Sequence, residues 1–268
     1  MLRALAASFR EKVWGRTDLK PWFASDGKRI GEVWFTDEKP LPILVKFLFT
    51  SDKLSVQVHP DDDYAREHEG CAGKTEMWHI LHAEPGARIA LGFREPITRE
   101  RLREASLSGE VEKLLNWVTV QAGDTYFTPA GTVHAIGEGI VLCEIQQNSD
   151  VTYRLYDYGR PRELQVERAV EVADLGRHPG ACQPATSANG DQVLSMCRHF
   201  ATEALALHGP REFAPGNRSF DLLIVLEGSG HMGEAEFHAG QVWLVPADAA
   251  PFRIVPHSSA RLLRTYVP

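Results

Sequence analysis

Cysteine is scarce in this chain: Cys71, Cys143, Cys182 and Cys197 lie far apart, with no C-x-x-C pair among them. That spacing argues against a disulfide framework or a zinc knuckle, so the four read as free thiols and any metal must draw its ligands from other side chains. Long apolar runs are also missing, which excludes a helical bilayer span. The opening stretch, residues 1–9, is mildly apolar, but Arg3 interrupts it and Arg10, Glu11 and Lys12 follow at once. It is too short for the core of an export signal, and the protein is expected in the cytoplasm. Nor is there an excess of positive charge. With a formal net charge of -7, a nucleic-acid surface is not expected, while a local basic pocket for a small anion remains compatible. What is present is an ordinary globular composition, 43% hydrophobic and 24% charged over 268 residues. That length suffices for one large domain or two modest ones.

Short β-type runs bounded by Gly, Pro and Asp dominate. Residues 42–50, 54–59, 77–82, 88–93, 125–129, 140–146 and 152–156 all read as strands. Residues 98–118 differ, carrying apolar positions at helical spacing, with Gly109 as a break between two short helices and Ser108 as a candidate N-cap for the second. Residues 177–192, rich in Pro, Gly, Ala and Ser, read as a linker, after which strands are expected at 222–226, 241–245 and 261–266. A weak internal repeat supports this division. Gly123, Pro129-Ala130-Gly131 and His134 form a G-x5-P-A-G-x2-H frame, which recurs as Gly240, Pro246-Ala247-Asp248 and Pro251, with proline at the histidine position. Segments 78–86 and 222–230 correspond in the same way, a register that sets Phe220 opposite Glu76. The expectation is therefore a mainly β chain of two tandem double-stranded β-barrels: residues 1–176 with a small helical insertion at 98–118, then a degenerate second barrel at 193–268.

Polar residues of one chemical kind gather in the first half. In Gln57-Val58-His59 the period of two places Gln57 and His59 on one strand face. Glu76 opens a later strand, and His134 follows the Pro129-Ala130-Gly131 turn. Two imidazoles and a carboxylate suit zinc, an amide oxygen can add a weaker donor, and three strong ligands leave a position open for water or substrate. Any one of these residues alone is more often structural than a ligand. Their order and spacing lift the reading, because G-x5-P-x-G-x2-H is the second signature of the cupin superfamily. Glu138 departs from that signature at a position that is not a ligand.

Segments 54–66 (LSVQVHPDDDYAR), 73–81 (GKTEMWHIL), 129–137 (PAGTVHAIG) and 144–160 (EIQQNSDVTYRLYDYGR) closely resemble class I mannose-6-phosphate isomerases, most of all the short bacterial form. Segments 30–35 and 44–49 are similar to that family's amino-terminal strands. The resemblance implies an enzyme with one zinc ion per chain that interconverts mannose 6-phosphate and fructose 6-phosphate. It implies Gln57, His59, Glu76 and His134 as metal ligands, Arg154 and Lys74 as catalytic residues, and Ser55, Lys74 and Arg160 at the sugar phosphate, Arg160 as a cation for the phosphate. Aldose–ketose isomerisation moves a proton between C1 and C2 through an enediolate, so negative charge builds on oxygen and a guanidinium or a metal ion stabilises it. The general base could be Lys74, a carboxylate or a metal-bound water.

Other residues are read as structural. By parity His82 falls on the ligand face of its strand and His79 on the opposite one, each as a packed imidazole. Asp61, Asp62 and Asp63 read as a solvated turn, and Tyr153, Tyr156 and Tyr158 as pocket walls or as barrel packing. Two rival functions share the fold: a sugar- or sugar-phosphate-binding protein without turnover, and a metal-dependent cupin dioxygenase. Oxygen consumption separates the second from an isomerase. The expected partner is a sugar phosphate, with no nucleic acid and no membrane, in a monomer or homodimer.

Overall fold

A computed structural model describes residues 2–187, 190–216 and 218–268. Two curved sheets face each other in the first half. One has six strands in the order Ala6–Arg16, Ile30–Thr36, Ile43–Phe49, Ile140–Gln147, Glu76–Ala83, Thr125–Thr128. The other has five, in the order Tyr153–Tyr156, Val56–Val58, His134–Ile136, Arg88–Phe93, Leu115–Thr119. Trp78, Ile80, Leu142, Ile89, Leu91 and Ile136 fill the space between them. In the second half a seven-stranded sheet faces a four-stranded one over Leu205, Leu223, Val225, Phe237 and Ile254. The result is the mainly β, cupin-type architecture expected. The chain's first strand, Arg3–Ala4, pairs with Val242–Pro246 and so belongs to the seven-stranded sheet. Residues 185–186, within the stretch read as linker, form a short strand of that same sheet.

The strand Ile43–Phe49 shows why the sequence folds this way. All seven residues are buried, because both faces of the strand are covered. Val45, Phe47 and Phe49 pack outward, with Val141, Cys143 and Ile145, against Leu222, Ile224, Val242 and Leu244 of the seven-stranded sheet. Phe23 wedges into this layer with ring centroids 5.5 Å from Phe47 and 6.0 Å from Phe49. The indole N–H of Trp22 donates to the Leu226 carbonyl at 2.8 Å, which ties the halves together.

Among the described residues four helices lie outside the sheets: α1 (Asp62–Glu69), α2 (Arg99–Ser108), α3 (Val111–Leu114) and α4 (Val166–Val172). The acidic cluster read as a solvated turn instead begins α1: Asp61 caps it, accepting the Tyr64 N–H at 2.9 Å, and Asp62 and Asp63 occupy the first turn, where negative charge complements the helix dipole. The helical segment stops earlier than expected. Ser108 is the last residue of α2 rather than a cap for α3, which starts after Glu110, and 115–119 is a strand. Gly109 does mark the break, with φ 78°. α4 carried no recognisable signal. It packs with α2 on the outer face of the five-stranded sheet, over Val56, Ala90, Ala135 and Leu155. No helix among the described residues is long and apolar enough to cross a membrane.

Two positional readings fail, one on a bulge and one on a repeat matched one residue out of register. His82 does not reach the ligand face, because the pairing register shifts between Val141 and Leu142. The bulge inserts Leu81, and the histidine emerges exposed. His79, before the bulge, is buried on the opposite face as expected, its Nδ1 2.9 Å from the Thr125 hydroxyl. In the second barrel Leu222 and Ile224 face the inter-sheet core while Leu223 and Val225 face the barrel interior. Asp221, not Phe220, is therefore the inward residue, and Arg264 donates to it at 2.8 Å. A one-residue slip in the matched register exchanges the two faces of the whole strand.

Candidate metal centre and active site

The two sheets of the first barrel supply the site from opposite sides. On the five-stranded sheet, Gln57 pairs across the ladder with His134 on one side and Arg154 on the other, so the three share a face. His59, two residues after Gln57, points the same way. On the six-stranded sheet Glu76 stands between Gln146 and Thr128. His59, Glu76 and His134 are all buried, and their ligand atoms lie within 4.8 Å of one another. The Nε2 atoms of His59 and His134 are 3.6 and 3.4 Å from the two Glu76 oxygens.

Each histidine is oriented by its other ring nitrogen. Nδ1 of His59 lies 2.8 Å from the Val151 carbonyl, and Nδ1 of His134 lies 2.8 Å from the Thr132 carbonyl. A carbonyl only accepts, so both Nδ1 atoms carry the proton and both Nε2 lone pairs converge on the centre. Burial drives the His59 pKa well below the ordinary histidine value and that of His134 down to about 3, so both rings are neutral near pH 7. Trp78 closes the floor, its ring 5.3 Å from that of His134 in an edge contact.

These residues fit a divalent metal. Glu76 is fully buried, its Oε1 has no hydrogen-bond partner, and burial pushes its pKa up. Lys74 holds one Glu76 oxygen, while the other is left orphaned 3.4 Å from His134 Nε2, and two imidazole nitrogens with one carboxylate oxygen suit zinc. Gln57 reaches the same point, its side-chain amide 3.2 Å from His134 Nε2, while its Oε1 accepts from Ser55 at 3.0 Å. Lys74 donates to His59 Nε2 at 2.9 Å and also to Glu76. Its own burial works to lower its pKa, but Glu76 and Glu144 hold it above the ordinary lysine value.

Beside this centre a cavity of about 100 Å³ opens between the sheets, lined by Ser55, Gln57, Lys74, Arg154 and Arg162, with Lys12, Lys46, Glu144 and Asp150 at its walls. Arg154 projects a half-buried guanidinium whose Nε has no partner. Arg160 is not brought there. It donates to the Lys53 carbonyl at 2.8 Å and pairs with Asp52 and Asp157; the arginine at the cavity is Arg162, braced by Asp157 at 2.6 and 2.7 Å. The tyrosines flanking Arg154 are packing residues: Tyr153, Tyr156 and Tyr158 belong to the outer, helix-covered layer.

Lys46 and Glu144 escaped the sequence reading. They pair across adjacent strands, 3.3 Å apart and both under 5% exposed. Glu144 accepts from the Trp78 indole at 3.1 Å, and Lys46 sits 4.2 Å from the Trp34 ring. Desolvation acts to raise the Glu144 pKa, but Lys74 and Lys46 together hold it below the ordinary value. A signal was available: each is a lone charge inside an otherwise apolar strand, ILVKFLF and IVLCEI. A charge in a strand buried on both faces must meet a partner in the barrel interior.

The fold and this buried His–Glu–His group define a cupin-type enzyme with a metal-capable centre. No family model matches the chain. Comparison with known proteins nevertheless finds a mannose-6-phosphate isomerase from Streptococcus mutans, 36% identical over 68% of this chain and 70% of the relative. The mannose-6-phosphate isomerase ManA of Bacillus subtilis is 33% identical over 92% of this chain and 93% of its own length. A crystal structure of mannose 6-phosphate isomerase from Bacillus subtilis superimposes with a TM-score of 0.89 at 29% identity, covering 98% of this chain and 99% of that one. The chain belongs to the mannose-6-phosphate isomerase family, and it is an isomerase.

Proposed function

We propose that the chain interconverts mannose 6-phosphate and fructose 6-phosphate through an enediolate, with His59, Glu76 and His134 holding one zinc ion and Gln57 adding an oxygen donor once its amide, whose nitrogen faces His134 here, turns over. One observation carries this reading: two imidazole nitrogens, aimed by carbonyl-bound Nδ1 protons, and a carboxylate oxygen lie within 4.8 Å of one another, and Glu76 Oε1 is left without a hydrogen-bond partner. Zinc bound there supplies a Lewis acid beside the sugar oxygens. Arg154, which lines the cavity, holds the negative charge that develops as the C1–C2 proton moves. Arg162 replaces Arg160 as the cation for the phosphate, because Asp157 fixes its planar fork at the cavity wall. Ser55 fixes the Gln57 amide, and Lys74 supplies charge beside Glu76. The ligand group is buried over the Trp78 floor, which strengthens each of these interactions.

The test is a coupled assay for conversion of mannose 6-phosphate to fructose 6-phosphate, with chelator and then added zinc. Turnover lost to chelator and restored by zinc supports both the reaction and the metal. A folded, zinc-loaded protein that leaves the sugar phosphate unchanged would overturn the proposal.

A further inference from the structure

The segment that delivers Lys74 and Glu76 has no regular structure between α1 and its strand, yet it is tied at successive residues. One oxygen of Asp62, Oδ1, accepts both the Gly73 N–H at 2.9 Å and the Gln147 side-chain amide at 2.8 Å. The carbonyl of that same Gln147 side chain accepts the Thr75 N–H at 2.9 Å. The Thr75 hydroxyl in turn accepts the Ala130 N–H at 3.2 Å, in the turn that leads to His134. Lys74 N–H donates to the Pro60 carbonyl at 3.0 Å, and Gly131 N–H to the His59 carbonyl at 2.8 Å. Hydrogen bonds spreading from Asp62 thus reach the backbone beside both Glu76 and His134.

The fit at Gly73 is close. A Cβ there would lie 2.4 Å from the Asp61 carbonyl carbon, so the segment lies directly against the start of α1. The outer oxygen of Asp62 faces Arg198 at 3.5 Å and His199 at 3.9 Å, both from beyond the first barrel. Arg198 is three-quarters exposed, and such surface pairs contribute little. The two inward bonds are what a substitution would disturb. A first-turn carboxylate that merely complements a helix dipole would need neither of them.

We propose that Asp62 is a positioning residue for the metal centre: its Oδ1 anchors Gly73 directly and Thr75 through Gln147, and so fixes how Lys74 and Glu76 approach His59 and His134. This rests on the reading of His59, Glu76 and His134 as metal ligands. The role belongs to one acceptor atom, not to the charge, so Asp62→Asn, which keeps Oδ1, should preserve it and Asp62→Ala should not.

Two readouts test this. Residue-resolved amide exchange on metal-free protein should show Gly73 and Thr75 exchanging at least about tenfold faster in Asp62→Ala, and close to wild type in Asp62→Asn. The zinc dissociation constant, by competition with a chromogenic chelator, should rise about 10–100-fold in Asp62→Ala, the range for residues that orient metal ligands, and less than about threefold in Asp62→Asn. Gln147→Met, which leaves Asp62 in place, should free Thr75 while Gly73 stays protected, and it keeps the test open if Asp62→Ala folds poorly. Unchanged exchange and zinc affinity in Asp62→Ala would overturn the proposal. So would an asparagine variant as impaired as the alanine one. A wild type that binds no zinc overturns the metal reading on its own, and the exchange comparison decides the anchoring in either case.

Discussion

At the residue scale, the proposed centre divides into side chains that would bind metal and a side chain that would act on charge. His59 and His134 are buried, neutral and locked in one tautomer by backbone carbonyls. Replacing either by alanine should abolish stoichiometric metal binding and lower turnover by about 10²–10³-fold or more, with the far-ultraviolet circular dichroism of a folded β protein retained. Arg154 touches none of the three ligands, so Arg154→Ala should lower kcat by a similar factor with metal content near wild type. Loss of metal from that variant, measured by elemental analysis, would show that the guanidinium helps build the centre. A second residue-scale prediction concerns His79, at the interface between halves. Burial, aided by Arg261, lowers its pKa to about 4, against about 6.5 in an unfolded chain. Between those values the unfolded state binds a proton that the folded state does not. Stability from this group is therefore full above about pH 6.5 and falls as the pH drops toward 4. Denaturant titrations at pH 7 and 4.5 should show wild type losing roughly 2–3 kcal/mol more than His79→Gln. Parallel losses would mean that His79 is not held neutral.

At the scale of elements, the paired charges in two neighbouring strands are the sharpest energetic statement the barrel makes. Lys46 and Glu144 are buried together, so removing Lys46 takes from Glu144 its paired cation and leaves Lys74 and the Trp78 indole to hold the buried carboxylate. Lys46→Met should destabilise by about 3–5 kcal/mol, and Lys46→Met with Glu144→Gln should recover much of that. A double-mutant cycle by urea unfolding measures the coupling. Additive losses would show that the two do not depend on each other. This pair also marks how far the sequence could be read. The strands were legible because alternation and turn residues announce them, and the ligand group was legible because its spacing follows a known signature. Lys46 and Glu144 were each visible as a lone charge in an apolar run, but their partnership was not, since it is a cross-strand register no local window contains. The bulge at Leu81 was invisible because parity presumes an unbroken ladder, and the one-residue shift that turns Asp221 inward because a matched repeat does not fix which residues pair. In α1, three successive aspartates suited a turn as well as a helix start, and only the Asp61 side chain on the Tyr64 N–H distinguishes them.

At the scale of the whole molecule, the layer between the six- and seven-stranded sheets decides whether the first barrel can exist alone. Phe35, Val45, Phe47, Phe49 and Ile145 on one side meet Phe200, Leu222, Ile224, Val242 and Leu244 on the other. Burying each such side chain stabilises by roughly 1.5–3 kcal/mol, so a handful matches the entire net stability of an ordinary domain, about 5–15 kcal/mol. The strand Arg3–Ala4 would also lose its only ladder partner among the described residues. A chain ended after residue 176 would keep every proposed ligand yet expose this contiguous apolar face, the kind of patch that soluble monomers rarely leave uncovered. Such a truncation should aggregate or bind a hydrophobic dye strongly, with zinc affinity and turnover lost together, although no residue of the site has been touched. A soluble truncated protein with wild-type zinc affinity and kcat would instead show that the second barrel is dispensable to the first. The contacts of Phe47 and Phe49 would then be stabilising decoration on a barrel already able to hold its centre.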